Sequence, residues 1–419
     1  MTPTPTTTPR APRAPSGAGG SASRQHTLRE RNLRLVARAI YDAATEVSGS
    51  PDAVPPSRAD VAAATGLTRA TVSTLVDHLV AARLVTELEP VSSQRAGRPA
   101  VPLVPARRTV VGLGLEVNVD YLGVRALDLA GDVVADHVEA GTFHDSDPAA
   151  VLARLGLLAA DVVTRLEADG LRVAGARLAL PGLVDARTGE LEVAPNLGWS
   201  SVHPVELLGL GDLPVRVANE AKLAALAELA GDVPPSFLYV SGDVGIGAAI
   251  VVDRALFLAE RGWNGEVGHV VVDPAGPRCS CGASGCLEQY AGKEAILRAA
   301  GLATEAPLDD LVAALAVPDG GTPGGRARSA VDRAGQALGS ALADFVNLTG
   351  VSTVVLGGVY TELEPWLRAE ITAGLGARVL AAPFAPVDVR AARAGQHAAL
   401  TGGAREVLRE VVADPAAWV

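Results

Sequence analysis

The chain has 419 residues, 48% hydrophobic and 20% charged, with a net charge of −11. That balance fits two or three globular domains and excludes a disordered chain. No apolar run approaches the roughly 20 residues that cross a bilayer, and the N-terminus lacks the apolar segment of a secretory signal, so a cytoplasmic protein without membrane contact is expected.

The charge is unevenly spread. Residues 1–108 carry fourteen arginines, no lysine and eight acids, a net of +6, which leaves −17 for the rest. A basic end on an acidic body suits contact of that end with a polyanion, although an Arg-rich solvated surface gives the same count. Residues 1–22 are rich in Thr, Pro, Ala, Gly and Ser and are expected to be a disordered tail. From about Thr27 to Asp42, Leu28, Leu33, Val36, Ala37 and Ile40 fit one helical stripe. After the Pro55-Pro56 break, Ser57 with Asp60 three residues on predicts a capped second helix ending at Gly66. Thr68 caps a third, whose Val72, Leu75, Val76, Leu79 and Val80 form an inner stripe. Two short helices joined by a tight turn, the second exposing Arg69, Thr71, Ser73 and Thr74, read as a helix-turn-helix. Residues 85–88 and 99–104 then predict a two-stranded wing with a basic tip holding Arg95 and Arg98. A plain helical bundle shares part of this pattern; turn, wing and charge together favour DNA binding.

The character changes near Thr109. Strands are predicted at residues 110–115, 121–129 and 133–139, then a helix from the Asp147-Pro148 cap to Gly170. A similar order recurs: strands at 237–241 and 248–252, helices after Gly292, and a strand at 353–356 running into Gly357-Gly358. Two α/β halves with glycine-rich strand ends suggest a ligand cleft between them, and a last helix over about 397–412 is expected to pack back on the first half.

All three cysteines, Cys279, Cys281 and Cys286, fall within eight residues. Together with His269 they offer three thiolates and an imidazole, the donor set of closed structural zinc. A buried histidine beside free thiols is the plainer alternative. A bound metal would also tie Glu266 and Glu288, which flank this run, into one rigid unit.

Around these residues the chain resembles the ROK family (repressors, open reading frames and kinases), in its regulator branch, from about Leu28 to Gly403. The run Glu266 to Glu288 carries the family's strongest motif. Pro181-Gly182, Gly189, Asn196-Leu197 with Trp199, Asn219, Gly245-Ile246-Gly247 and Gly357-Gly358 match as well. So do Ser57 to Asp60, Gly66-Leu67-Thr68, Val72-Ser73 and Gly97-Arg98-Pro99 in the N-terminal part. The resemblance implies a winged helix-turn-helix over 23–108 and a hexokinase-like, actin-like α/β sensor over 109–419, with halves of about 109–220 plus 397–419 and of 221–396. It implies a hexose-like ligand on Asn219, Glu220, Glu266, His269 and Glu288, with His269 serving zinc as well. It also implies DNA contacts through Arg69, Thr71, Ser73, Thr74, Arg95 and Arg98, in a homodimer or tetramer. The kinases of the family cradle ATP phosphates on Asp-x-Gly-Gly-Thr. Here the matching stretch is Gly114-Leu115-Glu116-Val117-Asn118, Val244 replaces a threonine of the second phosphate turn, and Glu220 stands where the general base is an aspartate. A Glu side chain and a β-branched residue keep backbone amides from phosphate. Lys222 replaces an asparagine beside the ligand contacts. The expected function is a DNA-binding regulator, in the sense of a repressor, controlled by a sugar or sugar derivative and without a catalytic site. An ATP-dependent sugar kinase carrying a DNA-binding domain is the alternative, and a regulator that needs no ligand is the third reading.

Overall fold

The computed structural model describes residues 19–48, 54–90, 100–230, 233–243, 245–317 and 322–419. Residues 1–18 of the expected tail, the wing tip with Arg95 and Arg98, and Val244 lie outside the described residues, whereas residues 19–22, expected to be disordered, belong to a helix.

The N-terminal unit consists of α1 (Gly19–Ser48), α2 (Arg58–Thr65), α3 (Arg69–Ala81) and an antiparallel ladder of β1 (Val85–Glu87) with β2 (Leu103–Pro105). The helix starts follow from local chemistry. Ser57 and Asp60 form a reciprocal capping box on α2, and Thr68 accepts the Thr71 amide at the head of α3. α2 closes on Gly66 in the left-handed region at φ 71°. The inner stripes meet as expected except at Leu28, which is exposed: Val36, Ile40, Val61, Val72, Val76 and Leu79 are fully or almost fully buried.

The first large sheet is built from β3 (Val110–Val117), β4 (Tyr121–Asp128), β5 (Val133–Ala140), β6 (Arg172–Leu180) and β10 (Val215–Asn219), in spatial order β10-β6-β3-β4-β5. Between these come α4 (Pro148–Ala168), the small sheet β7 (Leu183–Val184), β8 (Leu191–Ala194) and β9 (Trp199–Val202), and α5 (Pro204–Leu208). α6 (Glu220–Glu228) follows β10 directly. The second sheet is formed by β11 (Phe237–Gly242), β12 (Ile246–Val252), β13 (Ala255–Leu256), β14 (Thr353–Gly358) and β15 (Asp388–Ala391), in the order β13-β12-β11-β14-β15. Its helices are α7 (Glu288–Ala291), α8 (Lys293–Ala300), α9 (Leu308–Leu315), α10 (Thr322–Thr349) and α11 (Val359–Arg378). The chain returns through α12 (Ala398–Ala413) to the first sheet.

Each sheet is a three-stranded antiparallel meander extended by two parallel strands, so the recurring order in the sequence is a repeated topology. β3 is buried along its whole length because α4 covers one face and α12 the other. α12 comes unusually near. A Cβ on Gly114 would lie 1.9 Å from the Leu400 carbonyl oxygen, and one on Gly402 would lie 1.7 Å from that of Leu223 on α6. Glu228 at the end of α6 accepts the backbone amides of Arg393 and Ala394 just before α12, and Arg405 donates to the Ala227 carbonyl.

The apolar core of the N-terminal unit does not close at residue 108. Leu33, Val36, Val72 and Leu79 belong to one cluster with Leu127 of β4, Leu129 just after it, and Ala404, Leu408 and Val411 of α12. Arg172 strengthens the junction by donating to the Ala82 carbonyl at 2.8 Å and stacking 5.0 Å from the Trp418 ring.

Candidate ligand cleft and metal centre

The candidate metal centre is built on a short irregular hairpin. Val271 bridges Cys286 and Arg278 bridges Ser284, while the Cys279 amide donates to the Ala283 carbonyl. Gly285, at φ 74°, is required here, because a Cβ would lie 1.5 Å from the Asp273 carbonyl oxygen. This fold gathers His269, Cys279, Cys281 and Cys286 so that their four donor atoms lie within 4.8 Å of one another. The Cys281 and Cys286 sulfurs are 3.6 Å apart, and His269 Nδ1 is 3.8 Å from the Cys279 sulfur. A tetrahedron with metal–sulfur bonds of about 2.3 Å has sulfur–sulfur edges of about 3.8 Å, close to these two separations, so the cluster could hold a metal ion.

The cleft lies between the Gly245 turn, α6, the small sheet and the residues flanking the metal centre. Glu220 heads α6, and Asn219 caps it by accepting the amides of Ala221 and Lys222. The Asn219 Nδ2 donates to the Gly182 carbonyl at 3.1 Å, so this amide is fixed by its own chain before any ligand arrives. Glu288 heads α7 and accepts the Ile246 amide, and its carboxylate abuts the Gly245 turn together with the Asn196 amide. A cavity of about 240 Å³ opens beside Glu288, lined by His144, Asp145, Asn196, Gln289 and Arg298 among others.

Burial raises the Glu220 carboxyl well above the usual range, and the nearby Asp243, Glu116 and Glu266 carboxylates raise it further. Glu266 and Glu288 are likewise raised by burial, opposed for Glu266 first by Lys222 and then His269, and for Glu288 by His269. Lys222 is buried, bonds the Gly262 carbonyl, and is lowered by burial while Glu266 supports its charge. The substitution that blurs the ligand contacts in the sequence therefore ties α6 to the loop preceding Glu266.

The stretch matching the phosphate cradle is closed by its own side chain. Glu116 is only 3% exposed, and burial pushes its carboxyl up to about 7. Asp243 at the end of β11 is pushed up to about 6 by burial, with Lys293 opposing. Lys293 at the head of α8 also reaches Asp120 in the β3–β4 turn at 3.9 Å, an ion pair joining the two sheets across the cleft. Sequence reasoning missed Asp243, Asp120 and Lys293. Only Asp243, two residues before the Gly245 turn, left a signal that could have found it.

On the N-terminal unit, Arg69 and Thr74 are exposed at the start of α3, and Thr71 is half-buried with its hydroxyl 2.9 Å from that of Thr68. Ser73 differs from the others. Its hydroxyl and carbonyl both accept Arg58 Nη1, and that guanidinium is also paired with Asp77 and Glu87. Ser73 thus holds α2 against α3, and Arg58 is a neighbouring cation that the sequence pattern did not single out.

The chain thus joins a three-helix unit with a short β ladder, through a common core, to a duplicated α/β fold with buried acids. The ROK family profile matches residues 115–410, and the chain belongs to that family. The xylose repressor of Bacillus spizizenii is 28% identical over 335 residues, covering 78% of this chain and 84% of its own. The N-acetylglucosamine repressor of Escherichia coli O6:H1 is 26% identical over 78% of this chain and 82% of its own. Among solved structures, a ROK family transcriptional regulator described as a homologue of the E. coli Mlc protein aligns over 92% of this chain and 97% of its own, with a TM-score of 0.74 and 27% identity. The ROK hexokinase of Thermus thermophilus aligns over 72% and 99%, with a TM-score of 0.57 and 26% identity. The hexokinase-like fold expected from the sequence is therefore the fold adopted. Among the described residues no helix is long and apolar enough to cross a membrane.

Proposed function

We propose that the protein is a DNA-binding transcriptional repressor released or tuned by a sugar or sugar derivative, with a structural zinc ion and no kinase activity. The observation that carries this reading is a contrast inside one cleft. Glu220, Glu266, His269 and Glu288, suited to hydroxyl groups, act on one another electrostatically, while Glu116 is buried in the stretch that matches the phosphate cradle. Vicinal hydroxyls donate to Glu220, Glu266 and Glu288, and a site of buried carboxylates rejects ligands that cannot supply those donors. Zinc held by three thiolates and His269 Nδ1 leaves Nε2 of the same ring free to face the ligand.

Duplex DNA is read by α3 as a recognition helix, with Arg69, Thr71 and Thr74 toward the groove, Ser73 bracing it, and Arg95 and Arg98 on the wing. A homodimer sets two such helices on half-sites roughly 34 Å apart, so a small rotation of each reader breaks simultaneous contact. The route for that rotation is α12, which touches α6 on one side and the core of the N-terminal unit on the other. Sugar seated against the head of α6 shifts the equilibrium between two placements of α12, and with it the spacing of the readers.

Two outcomes test this reading. The Arg69→Ala variant is expected to weaken operator binding roughly tenfold in a gel-shift titration, with the fold and the metal retained; unchanged affinity removes α3 from the interface. In a coupled ADP-release assay over hexoses, N-acetylhexosamines and pentoses, no turnover above background is expected. Phosphorylated sugar formed at about 1 per second or faster, an ordinary kinase rate, decides for the kinase reading.

A further inference from the structure

The side chains suited to a sugar and the cavity beside them are almost separate sets. Of Asn219, Glu220, Glu266, His269 and Glu288, only Glu288 lines the cavity of about 240 Å³. A single ring held by those five residues reaches this space at its Glu288 end and leaves the rest of it unfilled.

The two walls of the cavity come from the two halves of the α/β fold. His144, Asp145 and Asn196 form one, in the segments that follow β5 and β8, while Glu288, Gln289 and Arg298 form the other, on α7 and α8. The first wall is a built surface. The Ser146 amide donates to the Leu197 carbonyl at 3.1 Å, and the Trp199 indole donates to the Ser146 carbonyl at 2.9 Å, which pins the 144–146 turn to the segment carrying Asn196. Asp145 adopts the left-handed region at φ 48°, and its carboxylate lies so near Gly198 that a Cβ there would come within 2.8 Å of Oδ1. A non-glycine residue in that region carries backbone strain, a feature that gathers at ligand-binding sites.

The lining chemistry selects the occupant. The half-buried side-chain amides of Asn196 and Gln289 form no hydrogen bond among the described residues, so their donors and acceptors are unspent. Three acids, Asp145, Glu288 and Glu294, stand against one guanidinium, that of Arg298, a balance that disfavours a phosphate or carboxylate. A neutral group rich in hydroxyls satisfies these donors and acceptors together. The volume falls below the roughly 300–1,000 Å³ of sites for drug-sized ligands and suits a group of one ring.

We propose that this cavity is a second sugar subsite, so that the ligand is a disaccharide or a longer glycoside. One ring lies on the Glu220, Glu266 and His269 side of Glu288, the next lies between the two walls, and Glu288 stands at the linkage. This rests on the sugar reading above and narrows its ligand class. The second ring touches both halves of the fold at once, so its contacts favour the closed placement of the halves over the open one.

The test uses the full, zinc-loaded chain in calorimetry. Glucose, xylose and N-acetylglucosamine are each paired with a disaccharide of the same unit: cellobiose and maltose, xylobiose, and diacetylchitobiose. In at least one pair the disaccharide is expected to bind roughly tenfold or more tightly than the single ring. That ratio is expected to fall toward one in Arg298→Ala, and also in Ala295→Leu, which puts a larger side chain into the lining. Disaccharides that bind where no single ring does uphold the subsite, provided that Ala295→Leu removes the binding. A disaccharide no tighter than its ring in every pair, or a ratio that survives both variants, overturns the subsite and leaves the sugar reading intact. An equal loss for both members of a pair in Arg298→Ala also overturns it, because the single ring then occupies the cavity itself. No binding by any of these sugars overturns both readings.

Discussion

Replacing Cys286 with serine is expected to strip the protein of its metal and to weaken sugar binding severely. Cys286 is fully buried, its sulfur is 3.6 Å from that of Cys281, and the next residue but one is Glu288. Structural zinc contributes about 10–16 kcal/mol to the folding of small zinc-binding peptides. Here backbone hydrogen bonds also hold the hairpin, so a loss of about 3–5 kcal/mol in this region is expected. The weakened hairpin no longer holds Glu266, His269 and Glu288 in register, and sugar affinity should fall by roughly 100-fold. Atomic emission should find about one zinc per wild-type chain and almost none in the variant. A variant that keeps stoichiometric zinc would remove Cys286 from the ligand set.

The second large effect is expected at Gly402, far from any ligand. A valine there would drive its Cβ to within 1.7 Å of the Leu223 carbonyl oxygen and 2.6 Å of the carbonyl carbon. Both obstacles are backbone of α6, so no flexible side chain can yield and α12 must lift away. The expected cost is about 3 kcal/mol or more, seen as a lowered melting midpoint, and loss of the response of operator binding to sugar. Gly376 on α11 provides the control. A Cβ at that exposed position meets nothing within 4 Å, so Gly376→Ala should be neutral or slightly stabilising. A Gly402→Val protein with an unchanged midpoint and an intact sugar response would dismiss α12 as the connecting element.

Features encoded within a few residues were legible in the sequence. The Asp147-Pro148 start of α4, the Ser57–Asp60 box and the Thr68 cap depend on neighbours three or four positions away, and each forms as its residues dictate. The gathering of His269 with the cysteines was equally legible, because the donors lie on one short run. The mutual electrostatic influence of Glu116, Glu220 and Asp243 was harder to read, since they come from three elements brought together only when β3, α6 and β11 are packed. Ser73 and Asn219 carry engagements that spacing did not reveal: the Ser73 hydroxyl accepts Arg58 from the preceding helix, and the Asn219 side chain caps α6. α1 runs over Gly19–Ser48, well beyond the stripe at residues 27–42, although its Gly-Gly-Ser start has low helical propensity.

The junction between α12 and the first three helices carries a consequence for engineering. A fragment cut after the β ladder would leave Leu33, Val72 and Leu79 without Leu408 and Val411 to cover them, presenting an oily face to water. Swapping DNA readers between relatives at that point would graft a head onto a mismatched neck. Chimaeras that exchange the reader and the C-terminal helix as one piece keep the joint intact.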